Sequence, residues 1–260
     1  MIPKRLAVAF ALACLLAAGA VPQKRQKPWT EWSKIDADKI LNDSPWGQTQ
    51  IETDTSEMFY TPTTRAQASP SASNRTSSIT GQTPPGSGDS LSAGRATEGA
   101  LNQSTSVKFR IRWFSSRPIR RAMAREVALS NGGRLTDQLV QFADGPSEKR
   151  AVIAVTFEAN DQRFGGKVMQ AFNAATAATL KNSTYLELKD GKRVFLQDYI
   201  PPTGNRLGAA MFVFPRSLGE RPLLSPDSGD VRFFSEFSRA LKLDMKFKVS
   251  DMIYEGRLEY

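Results

Sequence analysis

Acid–base chemistry in this chain would depend on carboxylates, lysine or tyrosine, because the sequence contains no histidine. A Ser-His-Asp triad, a His-ligated zinc ion and a His proton shuttle are therefore excluded. Three aspartates stand in predicted loops: Asp198 follows a predicted hairpin, and Asp227 and Asp230 lie in a Gly-rich turn. Loops beside a rigid sheet often carry function, but aspartates there also bond the turn backbone. A carboxylate-dependent hydrolase is one hypothesis, and no catalytic pair can be assigned.

Basic residues form the strongest charge signal, in residues 106–130, where seven lysines and arginines accompany only Glu126. Such a local excess can concentrate an anionic polymer or a membrane surface. We expect the contact surface to be the wet face of a sheet, formed by cations from its first strand and from a later strand. A solvated basic surface that only maintains solubility is the alternative. The candidate binding residues are Lys108, Arg110, Arg112, Lys246 and Lys248.

The first 20 residues have the pattern of a secretory signal peptide. Lys4 and Arg5 precede an apolar run from Leu6 to Leu16, and Ala18-Gly19-Ala20 supplies the small residues of a cleavage site. Cleavage there predicts a secreted or periplasmic protein with no transmembrane segment. Lipidation at Cys14 is the alternative, and the apolar residues that follow Cys14 argue against it.

Metal, cofactor and nucleic-acid sites have no support in the sequence. The single cysteine, Cys14, lies in the predicted leader, so the mature chain would have no disulfide, thiolate nucleophile or Cys-ligated metal. The Gly-containing segments at 164–167 and 201–208 lack the pattern of a phosphate loop. No nucleic-acid recognition motif is present. We therefore predict no metal, no cofactor and no nucleic-acid partner.

Composition divides the chain into four parts. Residues 61–106 are rich in Ser, Thr, Gly, Pro and Ala and have few large apolar residues, which predicts a disordered linker. The predicted parts are the signal peptide at 1–20, a Trp-rich docking segment at 21–60, the linker at 61–106 and a globular domain at 107–260.

Three of the four tryptophans, Trp29, Trp32 and Trp46, lie in the docking segment. A helix is predicted over residues 30–42, and a lone helix of that length is marginal in water. Its tryptophans require a cover, and our first hypothesis is that residues 28–46 dock on the C-terminal domain. A partner protein, an envelope surface or a sugar stacked on the indoles are the alternatives.

The C-terminal part has the pattern of an α+β domain, with a mainly antiparallel sheet and helices packed on one face. Alternation from Val107 to Trp113 predicts a half-buried strand, and a helix is predicted to begin near Ser116, with Ile119 and Val127 on its buried face. A hairpin is predicted around Asp190-Gly191. Further helices are predicted over 136–142 and 165–180, and strands over 151–159, 209–215, 230–237, 241–249 and 252–260.

These features together predict a non-catalytic binding or assembly module of the cell envelope. Its partner would be an anionic envelope polymer or another protein. The alternative is the carboxylate-dependent hydrolase, acting on an envelope polymer or glycan.

Overall fold

The computed structural model of the protein describes residues 27–53, 106–146 and 149–260. The predicted signal peptide and the predicted linker, apart from Ser106, lie outside these residues. The five helices of the described ranges are α1 (Lys34–Asn42), α2 (Arg117–Ser130), α3 (Asp137–Asp144), α4 (Gln162–Ala174) and α5 (Ala177–Leu180). The strands are β1 (Gly47–Thr53), β2 (Ser106–Trp113), β3 (Arg150–Ala159), β4 (Thr184–Glu187), β5 (Arg193–Phe195), β6 (Asp198–Ile200), β7 (Ala210–Pro215), β8 (Ser217–Leu218), β9 (Arg221–Pro222), β10 (Asp230–Ser238), β11 (Leu241–Lys248), β12 (Ile253–Tyr254) and β13 (Arg257–Leu258).

The α+β prediction is confirmed, but the strands form two main sheets instead of one. A five-stranded sheet has the order β1-β2-β3-β7-β6, and a four-stranded sheet has the order β11-β10-β4-β5. Aromatic side chains join their inner faces: the Trp113 and Phe247 rings lie 5.7 Å apart, and the Phe212 and Phe233 rings 5.1 Å apart. Within the described ranges, no helix is long and apolar enough to cross a membrane.

Strand β2 has the predicted alternation, since its odd-numbered residues from Val107 to Trp113 are fully buried. The prediction for α2 is correct in position but wrong for Val127, whose side chain is 46% exposed. Ala124 and Ala128 are buried instead, because α2 packs against both α1 and α3. Gly132 and Gly133, both with positive φ, follow the helix, as is common at a helix C-terminal end.

The N-terminal end of α2 depends on a distant residue. Ser116 occupies the predicted cap position, but its hydroxyl donates to the Trp113 main-chain oxygen at 2.7 Å. The first main-chain N–H of the helix, at Arg117, donates instead to the Glu259 carboxylate at 3.2 Å. A carboxylate at this end of a helix also interacts favourably with the helix dipole. The C-terminal residues therefore hold the start of α2 in place.

Strand β1 was not predicted, and it joins the docking segment to the five-stranded sheet. It pairs antiparallel with β2 along its whole length, from Gly47 opposite Arg112 to Thr53 opposite Ser106. Thr53 and Ser106, the described residues on either side of residues 54–105, are therefore neighbours in the sheet. Residues 27–53 and the described residues from 106 onwards share one hydrophobic core, which includes Leu41 and the three N-terminal tryptophans.

The two sheets are connected along both of their edges. On one side the chain passes directly from β5, in the four-stranded sheet, to β6, in the five-stranded sheet. On the other side the Gln50 side chain of β1 reaches the edge of β11. Its amide nitrogen donates to the Lys242 main-chain oxygen at 2.9 Å, and its amide oxygen accepts from the Asp244 N–H at 2.9 Å.

Replacing Gln50 with alanine is expected to lower the free energy of unfolding by about 1 to 2 kcal/mol, because two hydrogen bonds to strand β11 are lost. Urea denaturation measures the change. Gln48→Ala is the matched control, since Gln48 lies two residues earlier on the same side of β1 and makes neither of these bonds. Equal losses in the two variants would show that the bridge does not hold the sheets together.

Candidate binding surface

The structure places the five predicted basic residues on two different sheets. Lys108, Arg110 and Arg112 lie on β2 of the five-stranded sheet, whereas Lys246 and Lys248 lie on β11 of the four-stranded sheet. Because the sheets pack through their inner faces, side chains on the two outer faces point in opposite directions. The five residues are therefore not brought together.

Two of the β2 cations have internal partners. Arg112 donates through Nε to the Leu41 main-chain oxygen at 3.0 Å and through Nη2 to Asn42 Oδ1 at 2.7 Å. Burial, and then the nearby charge of Arg110, lower the pKa of the Arg112 guanidinium. Arg110 pairs with Glu158 at 2.9 Å. The alternation predicts that Arg112 faces solvent, but it holds the end of α1 against the sheet.

The outer face of the four-stranded sheet carries two rows of side chains in register. We call the first the cationic row, in which three cations and one glutamate cross the four strands. We call the second the aromatic row, in which three rings and one aspartate cross the same strands, each two residues away from a member of the cationic row. The cationic row is Arg193, Glu187, Arg232 and Lys246, and the aromatic row is Phe195, Tyr185, Phe234 and Asp244.

Ion pairs fix the orientation of the cationic row. Arg232 forms a bidentate pair with Asp244, with Nε–Oδ1 at 2.7 Å and Nη2–Oδ2 at 2.5 Å. The hydrogen bonds to Asp244 raise the pKa of Arg232, and the same bonds lower the pKa of Asp244. Arg193 Nε lies 2.9 Å from Glu187 Oε2. The guanidinium groups are thus held in place before any ligand binds.

Ring contacts order the aromatic row. Tyr185 lies at its centre, stacked on Phe234 at 5.2 Å and edge-on to Phe195 at 5.9 Å. The Arg193 guanidinium lies 4.3 Å from the Tyr185 ring centroid. Phe195 is 46% exposed, which is unusual for a phenylalanine in a sheet. The face therefore offers an accessible ring beside fixed cations.

The sequence analysis did not find most of this surface. Of the two rows, it named only Lys246 as a candidate binding residue. The hairpin predicted around Asp190-Gly191 contains part of the signal, because its register places Tyr185 opposite Phe195 and Glu187 opposite Arg193. The pairing of β4 with β10 comes from residues almost fifty positions apart and leaves no local signal.

The three N-terminal tryptophans are buried in the structure. Trp46 Nε1 donates to the Glu259 main-chain oxygen at 2.9 Å, and the Trp46 ring lies edge-on to Tyr254 at 5.8 Å. Trp29 Nε1 donates to Asp144 at the end of α3, at 3.3 Å. Trp32 donates to the Lys27 main-chain oxygen at 3.0 Å. Trp46 and Trp29 thus contact the C-terminal part of the chain directly.

The aspartates considered for acid–base chemistry do not share a site. Asp198 begins β6 and accepts from the Tyr199 N–H at 2.8 Å, whereas Asp230 begins β10 in the other sheet. Asp227 is exposed in a 3-10 turn at Pro226–Ser228. Within residues 27–53, 106–146 and 149–260, no group of three or more Asp, Glu, His or Cys side chains could hold a metal ion.

A polar cleft of about 630 Å³ lies where the start of β1 approaches the end of β11. Its lining includes the carboxylates Asp43 and Asp251. Lys248 pairs with Asp251 at 3.0 Å, and hydrogen bonds from Lys248 and then Ser250 lower the pKa of Asp251. A lowered pKa does not suit a general acid at neutral pH. The remaining lining residues are Asn42, Ser44, Pro45, Gln48, Thr49 and Lys248.

Comparisons with protein families, with curated proteins and with solved structures find no match to this chain.

Proposed function

We propose that this protein is a non-catalytic binding or assembly module of the cell envelope, and that the outer face of its four-stranded sheet contacts an anionic envelope polymer. The observation that supports this function is the cationic row beside the aromatic row. Exposed rings stack on the flat faces of ligand groups, and the guanidinium nitrogens not bonded to Glu187 or Asp244 can donate to ligand carboxylates or phosphates.

Fixed geometry strengthens the argument for binding. The Arg232–Asp244 and Arg193–Glu187 pairs hold two guanidinium groups beside the rings, so little side-chain freedom is lost when a ligand arrives. The pairs also reduce the net charge of the face. A ligand is then recognised by its shape and by local contacts in addition to its total charge.

Export to the envelope is a separate part of the proposal. It is supported by the basic residues, apolar run and small residues of positions 1–20. We favour binding over hydrolysis because Asp198 and Asp230 begin strands of different sheets, while Asp251 in the polar cleft is held by Lys248.

Replacing Arg193 and Phe195 together with alanine is expected to weaken binding to an isolated envelope fraction of the host at least about ten-fold, since one cation and one ring are lost. Co-sedimentation of the purified protein at increasing salt measures the binding. Both side chains are about half exposed, so the fold should be retained. Thermal unfolding checks this.

The matched control is the double variant Lys108→Ala and Ile51→Ala. These residues are also a cation and an exposed apolar side chain in register on neighbouring strands, but on the outer face of the five-stranded sheet. Binding should be unchanged in this control. Equal loss in both double variants would mean that attachment is a general charge effect, and no loss in either would reject the proposed surface.

A further inference from the structure

Strand β11 has an edge that already pairs with an amide group. The Gln50 side chain donates to the Lys242 main-chain oxygen and accepts from the Asp244 N–H. A neighbouring strand makes the same two contacts through one of its own residues. Gln50 therefore occupies the position of one residue in a strand that would extend the four-stranded sheet beyond β11.

Beyond Gln50 the same edge continues without such a partner among the described residues. Main-chain groups in a strand point alternately to the two sides, so those of Lys246 and Lys248 point in the same direction as those of Lys242 and Asp244, away from β10. The neighbouring Val249 N–H, in contrast, bonds to Gly229 on the β10 side. The free edge thus runs from the Asp244 main-chain oxygen, through both main-chain groups of Lys246, to the Lys248 N–H.

The polar cleft provides space beside this edge. Lys248 lines it together with Gln48 and Thr49 of β1. Trp46 accepts a main-chain hydrogen bond from Trp113, so the main-chain groups of the even-numbered residues at the start of β1 point towards β2. Main-chain groups alternate along a strand, so those of Gly47 and Thr49 point away from β2. Two strand edges therefore border a cleft of about 630 Å³.

Charge indicates which chain would fit. Lys246 and Lys248 lie next to each other along the outer face, and Lys246 forms none of the ion pairs among the described residues. A side chain opposite Lys246 in an added strand would extend the cationic row by one position, where an acidic residue is favoured. The alternate side chains would point to the inner side, where Gln48 suits uncharged polar groups.

We propose that an extended segment of a partner protein, with acidic residues at alternate positions, adds as a strand to β11 between Asp244 and Lys248. Main-chain hydrogen bonds supply the pairing, and Lys246 and Lys248 select the acidic side chains. This interaction uses the edge of β11 and shares Lys246 with the cationic row, whereas Arg193 and Phe195 belong only to the proposed polymer surface. Together the two would make the protein an adaptor between a polymer and a protein.

Amide hydrogen exchange, followed by NMR on the full chain, tests the proposal. The probe is the capped hexapeptide Thr-Glu-Thr-Glu-Thr-Glu, added at millimolar concentration. The Lys246 and Lys248 amides should exchange rapidly in the free protein and at least ten-fold more slowly with the peptide. The same peptide N-methylated at its glutamates, and a Thr-Lys peptide of equal length, should have no effect.

Two variants test the edge itself. Lys246→Pro removes an N–H that points away from the sheet, a position where an edge strand tolerates proline. It should keep the fold and lose the protection at Lys248. If Lys246→Pro does not fold, Lys248→Glu serves instead and should weaken the peptide effect at least five-fold. The Arg193 and Phe195 double variant should respond to the peptide like the wild type, so the two proposals can fail separately.

Three outcomes would overturn the proposal. The first is the absence of any protection by the hexapeptide. The second is equal protection by the N-methylated or Thr-Lys peptide. The third is slow exchange of both lysine amides in the free protein, followed by fast exchange once residues 54–105 are removed. That result would mean that the protein's own chain covers the edge in the full-length protein.

Discussion

Replacing Trp46 with alanine is expected to lower the free energy of unfolding by about 4 kcal/mol, the usual cost of removing a large buried aromatic side chain. Trp46 is 8% exposed, packs edge-on against Tyr254 and donates to the Glu259 main-chain oxygen. Both partners belong to the C-terminal segment, and the Glu259 carboxylate also accepts the first N–H of α2. The loss should therefore affect the whole fold, and urea denaturation measures it.

Two further variants separate the sources of this loss. Trp46→Phe keeps an aromatic ring against Tyr254 but removes the indole N–H, so it should cost less than half as much. Ile35→Ala in α1 is the control for a surface position, because Ile35 is 80% exposed. A loss for Trp46→Ala within about 0.5 kcal/mol, the range typical of surface substitutions, would contradict the observed packing.

A chain that begins at Ser106 is expected not to fold. It lacks β1, which pairs with β2 at the edge of the five-stranded sheet, and three buried tryptophans with Leu41. At about 3 kcal/mol for each of these four side chains, the loss is roughly 12 kcal/mol, which is comparable to the entire stability of a typical domain. Circular dichroism and amide exchange of the purified fragment measure the outcome.

The matched loop-replacement variant keeps residues 27–53 and has Asn-Gly, a two-residue turn that suits a hairpin, in place of residues 54–105. Thr53 and Ser106 are register partners, so a short turn can join them. This protein should fold, and it should gain roughly 2 to 3 kcal/mol if the replaced segment is disordered, because a shorter loop costs less entropy to close. Failure of this variant to fold would mean that residues 54–105 supply essential contacts.

Local pattern in the sequence was sufficient for the class of the fold and for several elements. The alternation from Val107 to Trp113 predicted β2 correctly, because neighbouring residues in a strand point to opposite faces. The hairpin at Asp190-Gly191 was predicted from its turn residues, and Gly191 has the expected positive φ of 80°. The absence of histidine excluded whole classes of catalysis without any coordinates.

The sequence by itself determined which residues are apolar, which are charged and which alternate, whereas only the tertiary structure decided which strands are neighbours. Strand β1 pairs with β2 across residues 54–105, and β4 pairs with β10 to assemble the aromatic row. Alternation defines two faces for every strand but does not say what covers them, which is why Arg112 contacts α1 while Lys246 remains exposed. Pairing between distant segments depends on the packing of the complete core, so no short stretch of residues carries that information.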